Sequence, residues 1–313
     1  MFQDFDKHRV LVTGGAGFIG SHLVEEFVRR NARVTVADDL STGLRSNLAS
    51  VTDRVDLRET DLVRDDLRPL LAEKSFTLIC HLAGNANVRT SFDEPWMDFE
   101  KNVTTTINLL EAMRETAPNA KLIHTSSALV YGAAGSAESR EDGPTLPIAP
   151  YGISKLASEQ YVSVYARLHG LRAVSLRLFP VYGPRLRKQV IYDLMCKLRA
   201  NPDELQIQGD GAQERDVNHV ANVVEAYLIV AEKARFDGEV YNVAAEETVT
   251  IRRLAEMICE RMDLTPRFVF GQARAGDMQS VKADVTRLKS LGYEPRLGFA
   301  EGLTDTVNWF RTE

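Results

Sequence analysis

The sequence predicts an α/β fold: a Rossmann-type doubly wound parallel sheet followed by a smaller α/β C-terminal lobe. Three observations predict it. Short, nearly continuous apolar runs alternate with longer runs at helical spacing, the pattern of strands covered on both faces. A glycine-rich turn, Thr13-Gly14-Gly15-Ala16-Gly17-Phe18-Ile19-Gly20, joins the first strand-like run to the first helix-like one. Beyond about Pro180 the strands become shorter and the regular alternation changes.

In order along the chain, RVLVT (Arg9–Thr13) reads as a buried strand, and a helix follows from about Phe18 to Arg30. RVTVAD (Arg33–Asp38) is a second strand, the run around Val55 a third, and TLICHLAG (Thr77–Gly84) a fourth. A helix is expected from Phe99 to Glu115, with Val103, Ile107, Leu110 and Met113 near helical spacing. Lys121–Ser127 is a fifth strand, Tyr151–His169 a helix, and Leu171–Phe179 a sixth strand. Helices near Val190–Ala200, Val220–Lys233 and Ile251–Arg261 then alternate with short strands near Leu205–Ile207, Glu239–Val243 and Phe268–Phe270. A helix around Thr304–Arg311 closes the chain. Residues 1–180 are read as the main domain, to which some later segments return, and 181–313 mainly as the second lobe.

The 313 residues are 44% hydrophobic and 26% charged, ordinary for a globular protein with a sizeable core. The net charge of −6 and the lack of a long basic run argue against nucleic acid or an anionic membrane as partner. Cys80, Cys196 and Cys259 lie far apart, and the six histidines show no H-E-x-x-H pairing, so neither a disulfide framework nor a metal site is expected. The polar start (MFQDFDKHR) and the lack of an apolar run near 18 residues predict a cytoplasmic chain.

The glycine turn contains G-x-G-x-x-G at Gly15, Gly17 and Gly20, and G-x-x-G-x-x-G from Gly14. Glycines here permit a tight strand-to-helix turn and let the backbone approach a pyrophosphate at the helix N-terminus. Asp38 ends the second strand, where a carboxylate accepts hydrogen bonds from the adenosine ribose of NAD and repels the 2′-phosphate of NADP. Asp39 is its immediate neighbour and the assignment could slip to it; Arg45 is a nearby cation that would favour a 2′-phosphate.

Tyr151-Gly-Ile-Ser-Lys155 opens a helix and puts phenol and ammonium on one face. A free tyrosine, with a pKa of about 10, is a poor base at neutral pH. A neighbouring lysine cation and a positive nicotinamide would favour the phenolate, which can then take a proton from a hydroxyl as hydride leaves its carbon. Thr125-Ser126-Ser127 ends the fifth strand, at the edge where parallel sheets bind ligands.

Together these residues resemble the extended short-chain dehydrogenase/reductase family, in its NAD-dependent nucleotide-sugar epimerase/dehydratase group. The likeness spans nearly the whole chain. It includes TGGAGFIGSHL at Thr13–Leu23, HLAG at His81–Gly84, NVTTTINLLEA at Asn102–Ala112, SSALVYG at Ser126–Gly132 and PYGISK at Pro150–Lys155. It continues through LRLFPVYGPR at Leu176–Arg185, GDGAQERD at Gly209–Asp216 and RAGDMQSVKAD at Arg274–Asp284. The resemblance implies Ser127, Tyr151 and Lys155 as the catalytic group, with Tyr151 as acid/base and Lys155 on the nicotinamide ribose. It implies that Gly14, Gly17, Phe18, Ile19, Gly20, Asp38 or Asp39, Asp61, Leu62, Leu82, Ala83, Gly84 and Asn102 line the cofactor. Arg215 and Arg274 would bind the diphosphate of a nucleotide-sugar, with Asp277 near the nucleotide ribose. Ser126, Ser127, Arg89 and Arg187 would face the sugar.

The family's dehydratases carry an Asp-Glu pair after this serine, and its decarboxylases a Glu. Here Ala128-Leu129 follows Ser127. The resemblance therefore implies 4-epimerisation of a UDP-sugar of the glucose, N-acetylglucosamine or glucuronate type, through a transient 4-keto sugar. Dehydratase, decarboxylase or net reductase activity are the enzymatic alternatives, and a non-catalytic NAD sensor or scaffold is the alternative of another class. Arg187, two residues beyond Arg185, matches a position that meets the sugar carboxylate in uronate epimerases. Pro180 stands where Asn or Thr is usual, and Val281 near a position that governs room for N-acetyl groups. Helices Phe99–Glu115 and Tyr151–His169 commonly form a homodimer interface in this group.

Overall fold

The computed structural model describes residues 5–132, 139–272 and 282–313. The first half alternates strand and helix. β1 (Arg9–Thr13), α1 (Phe18–Arg29), β2 (Arg33–Asp38) and β3 (Val55–Glu59) are followed by α2 (Arg68–Lys74) and β4 (Leu78–His81). Two short helices, α3 (Val88–Asp93) and α4 (Pro95–Phe99), precede α5 (Thr105–Thr116), β5 (Lys121–Ser127), α6 (Pro150–His169) and β6 (Arg172–Leu178). The second half holds β7 (Val181–Tyr182), α7 (Gln189–Ala200), β8 (Glu204–Ile207), β9 (Glu214–Asp216), β10 (Asn218–His219), α8 (Val220–Lys233) and β11 (Asp237–Val243). β12 (Thr248–Thr250), α9 (Ile251–Met262), β13 (Arg267–Phe270), α10 (Thr286–Lys289) and α11 (Phe299–Thr312) complete it.

The main sheet has seven strands in the order β11-β6-β5-β4-β1-β2-β3, and every neighbouring pair is parallel. Alternation along each strand divides its apolar residues between two cores. Val10, Val12, Leu78 and Cys80 pack toward α1 and α8. Leu11, Ile79 and Leu122 pack toward α2, α5 and α6. A third core, around Met195, Leu205, Leu254, Ile258, Leu303 and Phe310, joins α7, β8, α9 and α11. Among the described residues no helix is long and apolar enough to cross a membrane.

Three features depart from the pattern in the sequence. The fourth strand stops at His81, because the chain turns away through Leu82–Gly84. The helix expected from Phe99 begins at Pro95, whose missing N–H costs nothing in a first turn. It widens into one turn of π geometry at Glu100–Thr104 before α5. The strand near Glu239 belongs to the main sheet, beside β6, and not to the short-stranded region around it.

A buried polar chain ties this sheet to α6. Arg177 on β6 makes two hydrogen bonds to Glu159 on α6, at 3.0 and 2.6 Å. Glu159 also accepts from the Ser126 hydroxyl at 2.8 Å. Arg177 donates to the Tyr131 hydroxyl, which donates in turn to Asn242 on β11. The Arg177 and Glu159 side chains are 4% and 1% exposed. Removing one partner would leave the other charge buried and uncompensated. Arg177→Met is therefore expected to cost about 3–5 kcal/mol in urea unfolding; a loss below about 1 kcal/mol would mean that water replaces the guanidinium.

Candidate active site

The strand order reverses between β1 and β4, so the two chain segments leaving these strands part and open a crevice at the C-terminal edge of the sheet. The glycine turn forms one wall. The Gly14 N–H donates to Ala37 O at 2.8 Å, and the Gly17 N–H to Gly14 O at 3.1 Å. A Cβ on Gly20 would overlap the Gly14 carbonyl, so only glycine lets α1 pack this close. No side chain caps α1 at Gly17, which leaves the N–H groups of Phe18 and Ile19 at the positive end of the helix without a side-chain acceptor.

Asp38 stands at the end of β2, only 5% exposed. Its carboxylate accepts from the Ala16 and Leu40 N–H groups, each at 2.9 Å, and so is joined to the glycine turn. Burial raises its pKa, and these two N–H groups work against that rise. Asp39 turns the other way, to Lys101 at 2.5 Å and to Ser41. Arg45 pairs with Glu59 at 2.7 Å, both side chains well exposed. Asp61 accepts from Val63 N, and Leu62 is buried with its carbonyl on Asn108.

The opposite wall comes from the chain after β4. Leu82 N donates to Thr13 O and Ala83 N to the Thr13 hydroxyl. Gly84 has φ +156°, and a Cβ there would lie 2.5 Å from Asn102 Oδ1 and 3.3 Å from Lys155 Nζ. Asn102 sits in the π turn, with Oδ1 buried and unpartnered. A cleft with an open helix N-terminus, a buried strand-end carboxylate and an orphaned amide oxygen fits a dinucleotide.

Above this cleft Tyr151 and Lys155 lie one turn apart on α6, 9% and 6% exposed. The Tyr151 N–H donates to the Ser91 hydroxyl of α3 at 3.1 Å. The Lys155 ammonium donates to Thr125 O at 3.2 Å and lies 6.0 Å from the centre of the Tyr151 ring. The Ser127 hydroxyl, at the end of β5, accepts from the Leu129 N–H at 3.2 Å and acts on the nearby Tyr151 phenol in favour of its ionised form. Burial pushes the phenol up to about 12, the Ser127 hydroxyl opposes the rise, and the charge of Asp98 adds to it. Burial pushes Lys155 down to about 8, and Asp98 opposes that fall.

The other residues singled out in the sequence are scattered. Ser126 points to the opposite face of β5 from Ser127, toward α6, with its hydroxyl on Glu159, as alternation along the strand requires. Arg89 is exposed in the first turn of α3, and Arg215 lies on β9 with one N–H on Glu214 O. Arg187 pairs with Glu313 at 2.7 Å and lies over the Trp309 ring. Arg274, Asp277 and Val281 lie outside the described residues. Among the described residues no three His, Cys, Asp or Glu side chains gather as metal ligands. Sequence reasoning missed Asp98, fully buried beneath this site. The available signal was its placement four residues before Asn102, an acidic residue on the inward face of a helix.

The chain matches the NAD dependent epimerase/dehydratase family over residues 10–244. It is 35% identical to the UDP-glucose 4-epimerase of Mycolicibacterium smegmatis, over 97% of this chain and 99% of that one. It is similar to the crystal structure of the Thermus thermophilus UDP-glucose 4-epimerase in complex with NAD, with a TM-score of 0.86 and 35% identity over 97% of this chain and 99% of the other. It is also similar to the UDP-N-acetylglucosamine 4-epimerase of Methanobrevibacter ruminantium in complex with UDP-N-acetylmuramic acid, with a TM-score of 0.89 and 31% identity over 100% and 99% of the two chains. Fold, cleft and family match agree, and the chain belongs to the NAD dependent epimerase/dehydratase family.

Proposed function

We propose that this chain is an NAD-dependent UDP-sugar 4-epimerase. The observation that carries the reading is the grouping of Ser127, Tyr151 and Lys155 over the dinucleotide cleft, followed by Ala128 and Leu129, which carry no proton-transfer group. Its relatives of known name, acting on UDP-sugars, support the substrate class.

The first turn of α1 would hold the cofactor pyrophosphate, Asp38 the adenosine ribose, and Asn102 and Lys155 the ribose nearest the reacting atoms. Bound NAD supplies a hydride acceptor that returns what it takes, so the reaction is redox-neutral. Tyr151 takes the proton of the sugar C4 hydroxyl and gives it back after the keto sugar has turned its other face. Burial alone would keep this phenol neutral at pH 7. The Ser127 hydroxyl favours the phenolate, and the Lys155 cation, 6.0 Å from the ring centre, acts in the same sense as any nearby positive charge. Elimination of water would need a further acid and base beside the 4-keto sugar, and Ala128 and Leu129 provide neither.

Arg215 is the described candidate for the sugar-nucleotide diphosphate. A neutral or N-acetylated hexose suits the site better than a uronate, because a sugar carboxylate would have to take Arg187 from Glu313. We also infer a homodimer. Ile153, Tyr161 and Leu168 are 57%, 43% and 73% exposed on one face of α6, beside the stacked and exposed Trp96 and Phe99.

Proton NMR of the protein with UDP-glucose and with UDP-N-acetylglucosamine should show the anomeric signal of a 4-epimer of unchanged mass; loss of water would establish a dehydratase instead. Tyr151→Phe should lower kcat by about 10²–10⁴ while bound NAD is retained, and near-normal turnover would remove Tyr151 from the chemistry. Light scattering should give about twice the 34.9 kDa chain mass. Leu168→Glu with Tyr161→Glu should return it to one chain, and a single-chain mass before substitution would refute the dimer.

A further inference from the structure

Asp98 is a carboxylate with no access to solvent, placed on α4 below the catalytic pair. One of its oxygens accepts from two side-chain amides, Asn85 at 2.7 Å and Asn102 at 3.0 Å. Its other oxygen is buried with no partner. An ionised carboxylate only accepts, so it fixes which end of each amide it meets. The Asn102 NH₂ must face Asp98, and Asn102 Oδ1 must therefore face the space over Gly84. Lys155 Nζ borders that same space. Asn85 continues the link: its carbonyl accepts from Asn87 N, Asn87 caps α3, and Ser91 of α3 receives the Tyr151 N–H.

The surroundings of Lys155 offer no other negative charge among the groups that act on it. His81 on β4 and His124 on β5 face it, both fully buried and held neutral by desolvation, with the lysine charge adding to the effect. His81 lies between the Thr13 and Thr106 hydroxyls, and His124 against Ser175. Thr125 contributes a carbonyl, and Tyr151 a phenol on the same helix.

We propose that Asp98 is a positioning residue for the catalytic pair, the buried counter-charge of the Lys155 ammonium and the group that aims the Asn102 carbonyl at it. The proposal rests on the reading of Tyr151 and Lys155 given above. Asp98 acts through these residues and is not itself in contact with the reacting atoms.

The decisive comparison is Asp98→Asn against the unaltered protein, purified with its cofactor. Competitive acetylation reports the neutral fraction of Lys155 by peptide mass spectrometry and requires no turnover. The midpoint should lie near 8 in the unaltered protein and about one unit or more lower in D98N. Epimerisation of UDP-glucose by D98N should then be about fivefold slower at pH 8 and almost unchanged at pH 6, since only the higher pH discharges the lysine. Asp98→Glu should recover the midpoint. An unshifted midpoint, or a rate loss equal at both pH values, overturns the proposal and marks Asp98 as structural. If D98N does not fold, D98N/N102D restores the donor–acceptor match and puts the carboxylate next to Lys155. Its midpoint should be at or above that of the unaltered protein, and a lower one overturns the proposal. Normal turnover by Tyr151→Phe would instead defeat the functional reading, and the acetylation midpoint would still judge Asp98.

Discussion

The site is organised around a cation that has been taken out of water. Burying an ammonium costs several kcal/mol unless its surroundings replace the solvent. Around Lys155 that replacement comes from several elements at once: the Thr125 carbonyl at the end of β5, the Asn102 amide in the π turn, and the carboxylate of α4. The two nearby histidines add no opposing charge, because burial keeps them neutral. Gly84 is part of the same solution, since any side chain there would occupy the space between the amide and the ammonium.

The same economy of contacts explains how the serine strand is held. β5 sends Ser127 to the phenol and Ser126 to the Glu159–Arg177 pair, so neighbouring residues serve the chemistry and the framework. Glu159 belongs to α6, as do Tyr151 and Lys155. Helix and strand are therefore locked together within two turns of the reacting groups, and the phenol is positioned against Ser127 by a rigid frame. The π turn contributes in a similar way. Its wider winding brings Asn102 over the cleft at the point where Asp98 can hold it from below.

Much of this was legible in the sequence. The strands of the main sheet are continuous apolar runs, and β1, β2 and β5 begin and end where their composition changes. Gly14–Gly20, Asp38 and the Tyr151–Lys155 spacing are local signals, and local signals survive in a single sequence. The rest depends on partners distant along the chain. Whether Ser126 or Ser127 faces the cleft follows from the phase of β5, and the fate of Arg187 from a glutamate 126 residues away. Asp98 is an acidic residue in a helix until its two amide donors are in place. Glu239–Val243 resembles its short neighbours in composition, and only its pairing with β6 assigns it to the main sheet.

That pairing bears on how the protein is made. β6 ends at Leu178 and its outer neighbour β11 begins at Asp237, so about sixty residues separate the two halves of one ladder. At a synthesis rate of about 5–20 residues per second, the edge of β6 stays unpaired for roughly 3–12 s after it is made. An apolar strand with free N–H and C=O groups is a template for any passing chain. Arg177 and Glu159, both already synthesised, pair across the face of β6 that α6 covers, so what waits for β11 is the open backbone edge of the strand.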